Sequence, residues 1–407
     1  KYVGGPAKVS TISSALFGSI SGSASANVAT TGSFTIPMMK RLGYKPELAA
    51  AVEAVASTGG QIMPPIMGAG AFVMAELIET PYLTIALKAM LPAILYFFAV
   101  GIGIHFYAKR AGYVGLPASE IPSLRETIST SWFFIVPFGI LAFWLFKNYT
   151  PQYAAFWAAI STIPLALFSE DWKIEIKRAP GKLKKAVMNG AKQAALIASI
   201  TASAQIIIAV IAFTGLGIKI SSSILSISEG NLFISLVLIG ITSIILGMEV
   251  PTTAAYIVAV VVGGPVLVQF GLPPIAAHMF VFYYAILSAV TPPVCGAVFI
   301  ASGMAEANWV VTAKNALKLS FAAFILPFIF VYDHGLLLIG TPVEVTMSII
   351  RAALAITFIS AGFMGFFRKE MGTVKRGLII TAGVLLILKM MPLNIAGLIL
   401  GIIISVL

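Results

Sequence analysis

Ser57-Thr58-Gly59-Gly60-Gln61-Ile62-Met63-Pro64-Pro65 lies inside one apolar run, and Ser288-Ala289-Val290-Thr291-Pro292-Pro293 lies inside another. Proline lacks a backbone N–H and crowds the preceding turn, and glycine loosens a helix further. Two prolines in tandem rule out a continuous helix at either place, so each stretch predicts a helix broken midway. The two stretches are also copies. Gly43, Pro46, Ala49, Pro64, Pro65, Gly68 and Ala69 recur as Gly271, Pro274, Ala277, Pro292, Pro293, Gly296 and Ala297 at a constant offset (271 − 43 = 228). After two extra residues Met74-Ala75-Glu76 recurs as Met304-Ala305-Glu306. Upstream of each break the pattern is a helix, a polar tip and a returning helix. The tips are Gly18-Ser19-Ile20-Ser21-Gly22-Ser23-Ala24-Ser25 and Gly247-Met248-Glu249-Val250-Pro251-Thr252-Thr253. Residues 7–79 and 228–306 thus form an internal repeat.

The surroundings of the repeat are apolar. Charged residues are 10% of the 407 positions and hydrophobic ones 59%, with a mean hydropathy of +1.00. Soluble domains carry about 25% charged residues, so most of this chain faces lipid or other apolar helices. Plain spans of the required length are predicted at Ala89–Tyr107, Thr130–Phe146, Tyr153–Phe168, Ala194–Leu216, Trp309–Tyr332, Val343–Phe367 and Leu378–Met391. A partial span follows at Ala396–Leu407. The expected organisation is 1–79, first hairpin and broken helix; 80–170, scaffold helices; 171–193, an amphipathic cytoplasmic connector; 194–306, second hairpin and broken helix; and 307–407, C-terminal membrane helices. The net charge of +11 comes from short loops between spans, and no basic face with interleaved aromatics exists, which excludes nucleic acid as a partner. The single cysteine, Cys295, excludes an intramolecular disulfide and a thiolate cluster. His105, His278 and His334 share no metal-ligand spacing. The chain opens at Lys1 with neither an initiator Met nor a signal-peptide pattern, and the expectation is that an N-terminal part precedes it.

With each hairpin returning to its own side, five crossings separate the two, so the second enters from the opposite face and the repeat is inverted. Charge supports the count. Lys40, Arg41, Lys45, Lys109, Arg110, Arg125, Lys173, Lys177, Arg178, Lys182, Lys184, Lys185, Lys192, Lys314, Lys318, Arg368, Lys369, Lys375 and Arg376 fall on one side, against Lys88, Lys147, Lys219 and Lys389 on the other. By the positive-inside rule the first side is cytoplasmic. The expected fold is an all-α polytopic membrane protein of the inverted-repeat transporter type. It has two re-entrant helical hairpins and two discontinuous helices, and sits as a multi-pass protein in a bacterial or archaeal cytoplasmic membrane.

Unwound backbone at membrane depth survives where it is buried in protein or lines a wet cavity. A break leaves carbonyls that suit a hard cation and N–H groups that suit an anionic substrate. Candidate sodium or substrate residues are therefore Ser21, Gly22, Ser23, Ser25 and Asn27 at the first tip, and Thr58, Gly59, Gly60, Pro64 and Pro65 at the first break. Their counterparts are Gly247, Glu249, Pro251, Thr252 and Thr253 at the second tip, and Ser288, Thr291, Pro292 and Pro293 at the second break. Small residues in membrane helices also serve plain packing, but four polar breaks in matched positions favour a site. Glu249 is costly to bury unless paired or wetted; a water-facing loop charge is the alternative. Glu53 and Glu306 read as structural residues near half-helix ends, Arg351 as a snorkelling residue, and Cys295 as packing. Asn27 either caps the returning helix or contacts the site. Sodium is the expected coupling ion, with no other cofactor or metal.

At these motifs the sequence resembles the large permease subunit of tripartite ATP-independent periplasmic (TRAP) transporters. Gly18–Asn27 and Ala56–Glu76 resemble that family's first repeat, Gly247–Tyr256 and Ser288–Glu306 its second, over roughly residues 5–335. The Gly-Met-Glu-Val-Pro-Thr-Thr tip and the spans after Thr341 resemble the TAXI branch, whose members often fuse the small four-helix subunit to the large one. The resemblance implies an elevator-type, sodium-driven importer of organic acids. Its partners would be a periplasmic substrate-binding protein, a small four-helix permease subunit or fused N-terminal domain, and the lipid bilayer. A binding-protein-independent sodium/dicarboxylate symporter shares the inverted hairpins and is the alternative within transport. An intramembrane enzyme would need clustered Asp, His or Arg at one face, and a passive channel is the remaining class.

Overall fold

Four short helices form the first repeat: α1 (Gly5–Ser21), α2 (Ala24–Arg41), α3 (Pro46–Gly60) and α4 (Ala69–Leu77). Between the repeats run α5 (Tyr82–Ala111), α6 (Leu124–Phe146), α7 (Pro151–Leu165), α8 (Ala179–Thr214) and α9 (Leu216–Ser228). The second repeat is α10 (Leu232–Gly247), α11 (Thr252–Gln269), α12 (Pro274–Leu287) and α13 (Gly296–Ala305). After it come α14 (Trp309–Tyr332), α15 (Pro342–Met364), α16 (Thr373–Ile387) and α17 (Met391–Val406). The structure, a computed structural model, describes residues 3–113, 115, 124–168, 174, 176–248 and 250–406. Glu249, Lys173 and the opening of the expected connector lie outside the described residues. Among the described residues α5, α11, α14 and α15 are each long and apolar enough to cross a membrane, and the pair 205–211 and 216–228 passes the same test as one span bent by 65°.

The ends of the repeat helices follow from local chemistry. Pro46 and Pro274 occupy the first turns of α3 and α12, where a missing N–H costs nothing. Ser23 caps α2 by accepting from the Ala26 N–H, and Asn231 caps α10 by accepting from Phe233 and Ile234. The matched glycines Gly43 and Gly271 take the same left-handed turn, with φ of 85° and 79°. The peptide bonds Pro64–Pro65 and Pro292–Pro293 are both cis, and Met67 and Cys295, one offset apart, both have positive φ. Helices α2 and α11 start one offset apart and are 18 residues each. The sequence repeat is therefore a repeat of backbone. Helix α9 is an element the span prediction lacks, because its 13 residues reach only about 20 Å at 1.5 Å per residue. Helix α8 is continuous across residue 194, where the expected organisation places a boundary.

The chain divides into two compact units: residues 1–80, 84–116 and 206–407, and residues 81–83 and 117–205. In the larger unit the two repeats interlock. Helix α13 of the second packs against α2 and α3 of the first, and α4 of the first packs against α11 of the second. Gly70 on α4 meets the Phe282 ring on α12, and Lys40 at the end of α2 donates to the Ala305 carbonyl that ends α13 (2.9 Å). Helix α5, grouped by the sequence with the scaffold, joins this body. Tyr96 is fully buried, donates to the Val55 carbonyl of α3 (2.8 Å) and meets the Tyr283 ring of α12. Beyond the repeats, Arg110 and Arg376 donate to the last carbonyls of α15, those of Met364, Gly362 and Phe363. Arg351 does not snorkel. It pairs with the buried Asp333 carboxylate and reaches Asn394 (3.4 Å), which spares both charges isolated burial.

In the smaller unit α6 and α7 pack together. Tyr149 stacks on Tyr153 with Trp144 edge-on to both. These rings at the α6–α7 turn match the amphipathic aromatics that collect at membrane interfaces.

Candidate functional site

Helices α1, α2 and α3 pack on one another in the first repeat. The Gly18 and Gly60 backbones are so close that a Cβ on Gly18 would lie 2.4 Å from the Gly60 Cα. That approach places Asn27 between the helices, where its Nδ2 donates to the carbonyls of Ser14 (2.9 Å) and Ser57 (3.4 Å). Asn27 is buried and does not cap its helix, since Ser23 does; it cross-links α1 and α3. The tip itself turns at Gly22 (φ 60°), pressed against Gly68, where an added Cβ would lie 2.2 Å from the Gly68 Cα. No other residue fits there.

The second tip meets this junction. Thr252, the first residue of α11, donates through Oγ1 to the Gln61 Oε1 at the first break and lies 3.5 Å from the Gly22 carbonyl. Gln61 Nε2 in turn reaches the Thr58 carbonyl (3.5 Å). The Thr252 hydroxyl thus links tip one to tip two, and the Gln61 amide ties both to break one. The second break ties to its own tip, with Ser288 Oγ 2.9 Å from the Gly247 carbonyl, and the turn Ser288–Val290 packs on α3.

The expected residues divide into those that reach this junction and those that do not. Gly22, Gly60 and Thr252 form it directly. Ser21 Oγ is buried with no hydrogen-bond partner, a free oxygen at the tip. Ser23 is spent on its helix cap, Ser25 is exposed, and the Thr58 and Thr291 hydroxyls bond carbonyls four residues back in their own helices (2.8 and 2.7 Å). Gly59 lies under the Tyr96 ring. Thr253 and Pro64 are buried, Pro65 is half-buried, and Pro251, Pro292 and Pro293 are exposed.

Sequence reasoning missed the most polar place in the interior. Glu53 is not near a half-helix end. It lies at the middle of α3, fully buried, and its carboxylate takes hydroxyls from three helices. Ser14 (3.0 Å), Ser57 (3.1 Å) and Thr31 donate to Oε1, and Ser10 (2.6 Å) and Thr35 (2.5 Å) to Oε2. The signal was present. Ser10/Ser14, Thr31/Thr35 and Glu53/Ser57 are three polar pairs spaced i, i+4, so each pair lies on one face of its helix. Among the described residues no group of His, Cys, Asp and Glu is placed to hold a metal ion.

Two interlocked copies of a helix–tip–helix–break unit, with their polar loops drawn together inside an apolar helical body, define a polytopic membrane protein of the transporter-permease class. The chain belongs to the DctM component family of the tripartite ATP-independent periplasmic transporters, whose family model matches residues 1–345. That family is one of transporter permeases and not of enzymes. The chain is 24% identical over 306 residues to the isethionate TRAP transporter permease protein DctMQ of Oleidesulfovibrio alaskensis, covering 74% of this chain but 47% of that protein, about half its length. It is 24% identical over 319 residues to the C4-dicarboxylate TRAP transporter large permease protein DctM of Pseudomonas aeruginosa (77% and 72% covered). It is 23% identical over 327 residues to the sialic acid TRAP transporter large permease protein SiaM of Vibrio cholerae (78% and 73% covered).

Proposed function

We propose that this chain is the membrane permease subunit of a sodium-coupled secondary importer of organic acids, supplied by a periplasmic substrate-binding protein and working with a small permease subunit in the cytoplasmic membrane. The observation that carries the reading is the junction of Gly22, Gln61 and Thr252, where both tips and the first break meet beside the unpartnered Ser21 hydroxyl. Carbonyl and hydroxyl oxygens are the ligands a hard cation takes. The relatives' names support the substrate class, since they give isethionate, C4-dicarboxylate and sialic acid, all acids. Residues 18–27, 57–69 and 288–297 contain no Lys, Arg or His, nor do 247–254. Recognition of the acid therefore falls to backbone N–H groups where helices begin beside the loops.

The interlocked repeats favour movement as one body. Sliding one hairpin past the other would break the Thr252–Gln61 bond and orphan buried polar groups at about 1–3 kcal/mol each, whereas an elevator-like movement of α1–α4 with α10–α13 keeps them paired. The second tip's Gly-Met-Glu-Val-Pro-Thr-Thr sequence and the helices α15–α17, of which all but the first four residues lie beyond the family-matched residues, favour the TAXI branch.

Reconstitution in proteoliposomes tests the reading. Uptake of a labelled organic acid is expected to need an inward sodium gradient, the cognate binding protein and the small subunit. Uptake of free acid without the binding protein would move the chain to the sodium/dicarboxylate symporter class, and uptake indifferent to sodium would remove the coupling ion.

A further inference from the structure

We propose that Glu53 is the fixed counter-charge of the cation site: an ionised carboxylate, locked in a closed cage of hydroxyls, that stabilises a sodium ion at the first tip without touching it. The inference rests on the sodium-coupled reading above and goes beyond it by naming the residue that supplies the negative charge.

A buried carboxylate must be compensated by hydrogen bonds or by a cation. Glu53 forms no ion pair among the described residues, yet five hydroxyls surround it. Thr31 and Thr35 have alternative acceptors in their own helix, the carbonyls of Asn27 and Thr31. Ser10, Ser14 and Ser57 point theirs at the carboxylate or at one another. Whichever way Thr31 and Thr35 turn, Ser10 serves Oε2 and Ser14 and Ser57 serve Oε1, and donors on both oxygens suit the charged form. The cage has no room for the ion itself. A hard cation at about 2.3–2.6 Å from each ligand oxygen holds its ligands farther apart than the 2.5–3.1 Å between these oxygens.

The charge nevertheless lies close to where an ion would sit. Ser14 ends the cage on α1, and Ser21 is seven residues on, two turns or about 10 Å along the same face. Between them Asn27 donates to the Ser14 carbonyl, and its Oδ1 lies 3.1 Å from the Thr31 hydroxyl. In a low-dielectric interior a unit charge still acts over that distance. At the matching positions the second repeat has no such charge. At the offset of 228 Glu53, Thr31, Thr35 and Ser57 become Val281, Ala259, Gly263 and Ala285. The counter-charge at Glu53 therefore serves the first tip.

Sodium chloride titrated calorimetrically into the purified full chain, with choline chloride holding ionic strength constant, tests this without a known substrate. Glu53→Gln, nearly isosteric but neutral, is expected to bind sodium about tenfold more weakly than the unmodified chain. Thr35→Val, which loosens the cage but keeps the charge, is expected to stay within about threefold while unfolding at a lower temperature. Equal affinity in Glu53→Gln and the unmodified chain overturns the proposal and leaves the cage a structural clamp. An equal loss in both variants overturns it too, because packing rather than charge would then govern binding. Should Glu53→Gln fail to fold, Thr35→Val and Ser57→Ala decide: a tenfold loss around an intact charge refutes the counter-charge, and retained affinity with lowered stability supports it. No sodium binding by the unmodified chain refutes the sodium-coupled reading itself, which is a separate result.

Discussion

At the middle of α3 the first repeat buries Glu53 among five hydroxyls, and at the matching point of α12 the second buries Val281, with Ile239 and Val281 both against Gly263 in the place of Thr35. The close approach of Gly18 to Gly60 in one is that of Gly247 to Ser288 in the other, which aligns α1 with α10 at an offset of 229 (247 − 18 = 229). By that alignment Ser10 becomes Ile239 and Ser14 becomes Ser243. The second repeat carries instead a polar pair of its own, Tyr256 with His278 (2.7 Å), where the first has Val28 and Ala50. The lesson is that the backbone fold of the unit does not depend on what fills its centre. Glycines and prolines at the turns hold both copies to one shape, and the interior is free to specialise, a carboxylate among hydroxyls in one and a tyrosine–histidine pair in the other.

That comparison can be broken in several places. The largest effect is expected for Glu53→Ala, which orphans hydroxyls on three helices at about 1–3 kcal/mol each, less whatever they regain from nearby carbonyls, for roughly 4 kcal/mol in all. Val281→Ala, its counterpart, removes two methyl groups and should cost about 1–2 kcal/mol. Unfolding in mixed micelles measures both, and equal losses would mean that the cage contributes no more than its volume. Next comes Gly22→Val, which drives a side chain into the Gly68 backbone; overpacking of this kind costs about 1–3 kcal/mol, and sodium-driven uptake should fall with it. Retained uptake and stability would show that the tip does not rest on Gly68. Tyr256→Phe is expected to cost roughly 1 kcal/mol, the net worth of its bond to His278, and to leave sodium binding unchanged; a shift in sodium affinity would give the second repeat a share in the ion site. The smallest and most symmetric effect belongs to Gly43→Ala and Gly271→Ala. Neither site has a neighbour within 4 Å and both have left-handed φ, so each should lose about 1 kcal/mol, and clearly unequal losses would contradict the shared backbone.

Much of this was legible beforehand. The repeat, the two tips and both breaks were readable because proline and glycine act through their own backbone, whatever surrounds them. The starts of α3 and α12 at proline are local for the same reason, whereas the helix cap that the sequence offered to Asn27 falls to Ser23. The span Trp309–Tyr332 coincides with α14, since a long apolar run between a capping Asn308 and a polar Asp333 leaves little choice. The bend before α9 was less legible, because apolar composition alone does not say where a helix stops.

What sequence alone determined, then, is where the chain must turn and break and which segments are apolar enough for lipid. What only the tertiary structure decided is which polar groups meet. Glu53 finds its hydroxyls at separations of 4, 18, 22, 39 and 43 residues, and Gln61 finds Thr252 across 191. Arg351, which looks able to reach the membrane surface, turns inward because Asp333 lies 18 residues before it in the chain and beside it in space. Hydrogen bonds and ion pairs are short-ranged and directional, so they belong to the packed arrangement of helices, whereas a proline's missing N–H belongs to the residue itself.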